Sequence, residues 1–188
     1  MKTRCKWADS IPELVEYHDK EWGVPIHDDF LLFEHLSLGG AQAGLSWLTI
    51  LKRREGYKKA FADFDPNKIA QYESDKIEKL LQDTGIIRNR QKVNSVVNNA
   101  VLILDIAKEF GTLNKYLWQF TGGKTIQNSW GNESELPLNT EESDNMSREL
   151  KKRGFSFIGT TICYAFMQAT GIVNDHTIDC FRYSEIKG

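Results

Sequence analysis

Residues 80–100 read LLQDTGIIRNRQKVNSVVNNA, and this stretch decides how the rest of the chain is read. A short helix ending near Asp83, a tight turn through Thr84-Gly85-Ile86-Ile87 and a longer helix from about Arg88 are expected. The abrupt reversal predicts a positive φ at Gly85, a conformation that only glycine adopts at little cost. Ile86 and Ile87 would pin the turn to a core. Arg88, Asn89, Arg90 and Lys92 then surround the opening N–H groups of the second helix. Free N–H groups with a favourable dipole suit an anion, and basic neighbours suggest a nucleic-acid phosphate. The plain alternative is an αα-corner with a solvated basic face.

Outward from this hairpin nearly every patterned segment has helical period. Val93, Val96, Val97, Ala100, Val101, Leu104 and Ala107 form an i, i+3, i+4 stripe and predict a long central core helix. Upstream, helices are expected over 11–21, from Asp28-Asp29 to about Leu38, over 44–54 and over 75–82, with short pieces around Phe61, Phe64 and Ile69. Gly39-Gly40 is expected to interrupt the second of these. Downstream, helices are expected over 113–120, 141–153 and 159–170. The polar, Gly-rich run 121–139 between them reads as a long loop, with Trp130 and Leu136-Pro137 as isolated anchors. No segment alternates strongly enough for a sheet, so the fold class is all-α.

The chain has 188 residues, 40% hydrophobic and 27% charged, enough for one domain with a substantial core. A formal net charge of -2 excludes a uniformly basic coat. Nucleic-acid contacts would have to come from patches at Lys52-Arg53-Arg54, Arg88 to Lys92 and Lys151-Lys152-Arg153. The plain alternative for each is a solvated helix end with cations complementing the dipole, and for the second and third patches taken singly that alternative is preferred. No apolar run is long enough to span a bilayer, and Met1 to Trp7 does not resemble a signal peptide. A cytoplasmic protein with no membrane partner is expected. An odd count of three cysteines argues against a disulfide framework.

Cys5 and His18 near the start, and His176 and Cys180 near the end, could fill a tetrahedral zinc shell. An H-x3-C spacing would put both late donors on one face of a helical turn. With four protein ligands and no open position, such a metal would be structural, tying the N-terminal segment to the C-terminal helix. Either pair alone reads as easily as buried side chains. Cys163, His27 and His35 lack ligand spacing and read as ordinary packing residues.

Taken together, Arg4-Cys5-Lys6-Trp7, Tyr17-His18-Asp19, Glu21 to Pro25, Gln42 to Trp47, Gly85 to Arg88, Lys151 to Phe155, Gly159 to Tyr164 and Val173 to His176 resemble the 3-methyladenine DNA glycosylase I family of helix-hairpin-helix base-excision enzymes. The resemblance runs in order over nearly the whole chain. It implies a single domain over 1–188 with two lobes, one from the termini (about 1–30 and 112–188) and a helical one (about 31–111) holding the hairpin. It also implies a structural zinc on Cys5, His18, His176 and Cys180, and a monomer acting on double-stranded DNA that carries an alkylated base.

By the same resemblance the hairpin (Gly85, Ile86, Arg88) contacts phosphate while the damaged base rotates out of the stack. Gln42 and Leu45 match residues that fill or wedge the gap left in the duplex. Trp7, Tyr17, Trp22 and Trp47 match the walls of the base pocket. The chemistry agrees with these residue types. A 3-methylated adenine in DNA is cationic and a good leaving group, and the face of Trp47 attracts a cation. Tyr17 offers a hydroxyl to the base or to a water, and catalysis would rest largely on capture and positioning.

The chain departs from the family's pattern at one position. Gly39 stands where the family carries the Glu whose carboxylate accepts hydrogen bonds from the adenine edge. Loss of an acceptor for a buried amino group costs on the order of 1–3 kcal/mol. The expected function is a monofunctional N-glycosylase releasing 3-methyladenine, with activity reduced by Gly39. The alternatives are a non-catalytic protein that binds alkylated DNA, and a zinc-stapled helical module with a protein partner.

Overall fold

The computed structural model describes residues 2–8 and 10–186. Met1, Asp9, Lys187 and Gly188, which the single-domain reading takes in, lie outside the described residues. The helices, in chain order, are α1 (Pro12–Lys20), α2 (Asp29–Gln42), α3 (Trp47–Leu51), α4 (Arg54–Ala60), α5 (Pro66–Ile69), α6 (Ser74–Leu80), α7 (Arg90–Phe110), α8 (Leu113–Trp118), α9 (Glu141–Lys152), α10 (Thr160–Ala169) and α11 (Phe181–Glu185). The molecule is mostly helical, with one exception to the all-α expectation. β1 (Ile126–Gln127) and β2 (Val173–Asn174) pair in parallel, Ile126 opposite Val173 and Gln127 opposite Asn174. Two residues per strand are too short for alternation to show in the sequence. No helix among the described residues is long and apolar enough to cross a membrane.

Helix α2 is packed on all sides over its middle, past an exposed first turn. Asp28 caps it by accepting from the N–H groups of Phe30 and Leu31, and every residue from Leu32 to Leu38 is buried. Such a helix lacks a polar face because neighbours cover its whole circumference. Contrary to expectation, Gly39-Gly40 does not interrupt it; the helix runs on to Gln42. Gly40 is instead a close-approach residue, since a Cβ there would lie 3.1 Å from Cβ of Phe157. Gly39 has no such constraint. A Cβ there would meet only Ile162 Cγ2, at an ordinary 3.6 Å.

The expected helix over 44–54 is broken into α3 and α4, with Ser46 capping α3 by accepting from Thr49 N–H. Helix α7 spans 21 residues, but its buried stripe is not the one predicted. Val93, Val96, Ala100, Ile103 and Ile106 face inward, whereas Val101 is exposed and Leu104 only half-buried. The stripe drifts because a helix of 3.6 residues per turn rotates away from a fixed set of positions over six turns.

The run 121–139 is irregular apart from β1, the end of a short 3₁₀ turn at Thr121 and a second one over Glu133–Glu135, as expected. Its anchor is Asp175, almost fully buried, which accepts from Asn128 Nδ2 (2.7 Å), Trp130 Nε1 (2.8 Å), Tyr164 Oη (2.6 Å) and Gln168 Nε2 (2.8 Å). A buried carboxylate this fully hydrogen-bonded meets its desolvation cost and fixes the loop to α10.

Candidate active site and metal cluster

Tyr17 on α1, Trp22 just after it, His35, Gly39 and Gln42 on α2, Trp47 opening α3, and Phe166, Gln168 and Ala169 on α10 converge on a pocket of about 90 Å³. Three segments remote in sequence are thus brought to one wall by the packing of α2 against α3 and α10. Tyr17 and Trp47 are in contact, with ring centroids 5.3 Å apart. Trp7 stands behind this wall. Its ring meets Trp22 edge-on at 5.1 Å and lies 6.4 Å from Tyr17, and it does not line the cavity. Gln42 and Leu45 border an adjoining groove that shares Gly39, and Leu45 is exposed there.

The electrostatics of the wall follow from burial. Desolvation pushes the Tyr17 hydroxyl well above the usual phenol range, so it stays a neutral donor. His35 is held neutral, lowered to about 3 by burial and by the Arg54 and Lys58 charges. Its Nδ1 and the Trp47 Nε1 are buried polar atoms of the lining residues that have no hydrogen-bond partner. Glu34, one residue away from His35, is not available to the pocket. It accepts from Arg54 Nε at 2.5 Å, and Arg54 is paired with Glu21 as well. Sequence reasoning treated His35 as ordinary packing because nothing local marks it; its i, i+4 relation to Gly39 is the signal that was there to find.

The hairpin departs from expectation in three ways. Helix α6 ends at Leu80 and α7 begins at Arg90, capped by Asn89, whose side chain accepts from Lys92 N–H. Gly85 does not have a positive φ. The strict requirement falls on its neighbour Gly56, where a Cβ would lie 2.2 Å from Gly85 O, whereas a Cβ on Gly85 would press on Asp83 Oδ1 at 3.0 Å and meet Gly56 Cα at an ordinary 3.4 Å. Lys92 is not part of a basic face. It is buried, and its ammonium donates to Ala41 O (2.8 Å) and Ala43 O (2.7 Å), closing the C-terminal end of α2 beside the pocket.

Arg90 is clasped by Glu78. Arg88 is exposed and makes no ion pair among the described residues. Ile86 is buried, and Ile87 N–H donates to the Tyr57 hydroxyl. The other basic patches are largely paired internally, Lys52 with Glu13, Lys152 with Glu149 and Arg153 with Glu109.

Cys5, His18, His176 and Cys180 are all buried, and their donor atoms lie within 4.8 Å of one another. Cys180 Sγ is 3.4 Å from His18 Nε2 and 3.5 Å from His176 Nδ1, and Cys5 Sγ is 3.5 Å from His176 Nδ1. The outer ring atoms are engaged elsewhere. His18 Nδ1 meets Asp19, itself gripped by Arg4, and His176 Nε2 meets the Trp22 carbonyl. Each imidazole therefore turns one fixed nitrogen to the cluster, the orienting arrangement that metal-ligating histidines use. The donor set fits a metal ion. One local expectation is corrected: His176 and Cys180 sit in a turn, not a helical face, and Cys180 immediately precedes α11. Cys163 is core, its thiol pushed up to about 12 by burial.

The fold and site define a mostly helical protein with an aromatic-walled pocket and a two-Cys, two-His cluster joining the two ends of the chain. The chain belongs to the methyladenine glycosylase family, whose pattern matches residues 7–183. It is 46% identical over 180 residues to DNA-3-methyladenine glycosylase 1 of Escherichia coli (strain K12), covering 96% of each chain. It is equally identical to DNA-3-methyladenine glycosylase of Haemophilus influenzae (strain ATCC 51907 / DSM 11121 / KW20 / Rd), over 96% of this chain and 97% of that one. A crystal structure of 3-methyladenine DNA glycosylase I superposes with a TM-score of 0.93 at 45% identity, covering 95% of this chain and 98% of that one. A tyrosine-to-phenylalanine variant of such an enzyme, in complex with 3-methyladenine, superposes at 0.92 with 35% identity, covering 95% and 96%.

Proposed function

We propose that the chain is a DNA-repair N-glycosylase that rotates 3-methyladenine out of alkylated duplex DNA and releases it. The observation that carries this reading is the joint wall of Tyr17, Trp22 and Trp47 around one pocket, in a chain nearly half identical to two such enzymes over almost its full length. A cationic base placed against Trp47 is stabilised by the ring's quadrupole, and Tyr17 contributes a neutral hydroxyl to the base or an attacking water. The alkylated base is already a good leaving group, so holding it in position supplies much of the rate. Lys92, committed to two carbonyls, is not a free amine for a Schiff base, which favours hydrolysis without strand cleavage.

Around this pocket Gln42 and Leu45 would occupy the space vacated in the duplex, Trp7 would brace the wall from behind, and the exposed Arg88 with the Gly85-Ile86 turn would hold phosphate. Zinc on Cys5, His18, His176 and Cys180 would tie a lobe made of the termini to the helical lobe over 31–111, in a monomer acting on intracellular DNA. Incubation with methylated duplex DNA followed by chromatography of the released bases tests the reading. Free 3-methyladenine above the no-enzyme background is expected. Tight binding to the same DNA with release at background would instead favour the non-catalytic binder.

A further inference from the structure

Position 39 poses a question that the pocket itself answers. Nothing in the packing requires a glycine there, because a Cβ would meet only an ordinary contact. The wall is therefore open at position 39, which offers a bound base no side-chain group. One helical turn earlier on the same face of α2 is His35, 4% exposed, lining the same pocket and carrying a buried ring nitrogen without a partner. A neutral imidazole has one acceptor and one donor nitrogen. That nitrogen has no surface open to the cavity, so the ring must turn slightly for a base to pair with it and relieve the cost of leaving it unpaired. The nearest carboxylate on the helix, Glu34, is engaged by Arg54 and Lys58 and cannot take this role.

We infer that His35 is the specificity residue of this pocket, its imidazole accepting a hydrogen bond from the exocyclic amino group of the base in place of a carboxylate at position 39. The inference rests on the glycosylase reading and names the group that makes it selective. Burial with Arg54 and Lys58 nearby keeps the ring uncharged, so it does not repel a cationic base. Gln168 also lines the pocket, on the opposite helix from the opening at Gly39; its amide nitrogen is bound to Asp175, which leaves its carbonyl oxygen as a second acceptor, the one that Gln168→Leu removes.

Calorimetric titration of the full chain with 3-methyladenine, and with 3-methylpurine, which lacks the amino group, tests this. His35→Phe should weaken 3-methyladenine binding about tenfold, while leaving 3-methylpurine binding unchanged. His35→Gln, which restores an acceptor, should recover most of the loss. In a Gly39→Glu background the effect of His35→Phe should shrink to about twofold or less, because the carboxylate takes over the amino group. Circular dichroism verifies that each variant is folded, and the Gln variant covers a Phe variant that is not. If the parent binds and His35→Phe is indifferent, or both ligands weaken equally, or Gln168→Leu alone reproduces the loss, the assignment to His35 is overturned and the glycosylase reading stands. If neither the parent nor Gly39→Glu binds 3-methyladenine or releases it from methylated DNA, both fall together.

Discussion

Lys92 holds its charge inside the molecule, and that fact changes what residue type alone suggested for the hairpin. Two carbonyls at the end of α2 depend on its ammonium, so Lys92→Met should destabilise the fold by about 1–3 kcal/mol, measurable by urea denaturation. It should also reduce base release, because the freed segment carries Gln42 and Leu45. Trp47 tests the pocket more directly. Replacing it with Leu keeps much of the apolar contact but removes the ring, and should lower affinity for 3-methyladenine by roughly three- to thirtyfold, read by calorimetry. The aromatic set was visible in the sequence as residue types, but Trp7's place behind the wall was not. Which face a residue turns to a cavity depends on the packing of α1 against the start of the chain, not on its neighbours in sequence.

At the scale of elements, α7 and its turn illustrate both success and failure of pattern reading. Helix type and length were legible in the apolar period, although the stripe that is buried drifts from the predicted positions. The cap at Asn89 and the role of Gly85 were not. Asn89→Ala removes the acceptor for Lys92 N–H and should cost about 1 kcal/mol in a denaturation experiment. Gly56→Ala should cost more, since its methyl group collides with the backbone of Gly85, and the same substitution should loosen the turn that Arg88 follows. Arg88→Glu leaves the fold untouched. It should weaken binding to duplex DNA of any sequence and lower the salt dependence of that binding in a fluorescence-anisotropy titration; unchanged affinity would mean that this turn faces away from DNA.

For the whole molecule the cluster of Cys5, His18, His176 and Cys180 is the main prediction. Emission spectrometry of the purified protein should find about one zinc per chain. Chelation should lower unfolding free energy on the order of 4 kcal/mol while activity per folded molecule stays constant. Loss of activity in a still-folded protein would argue that the metal does more than hold the ends together. A separate global signature comes from His35. Its folded-state pKa is depressed to about 3, below the unfolded value near 6.5, so the unfolded chain binds the extra proton between these limits. Stability from this group is fully present above about pH 6.5 and falls as pH drops toward 3, by up to about 1.4 kcal/mol per unit. Comparing the pH dependence of unfolding in His35→Phe with the parent isolates it, since the variant should show the shallower slope.

By itself the sequence determined the helical class, the long α7 and the set of Cys and His donors near the two ends. Each of these is carried by local periodicity or by residue type, and neither needs a partner to be recognised. Only the tertiary structure decided that α2 is buried on all sides from Leu32 to Leu38, that Lys92 closes its end, and that His35 and Gly39 line the same pocket as Tyr17 and Trp47. Those facts arise where segments many residues apart come into van der Waals contact. The free energy of such contacts depends on relative placement, and a linear pattern does not encode it.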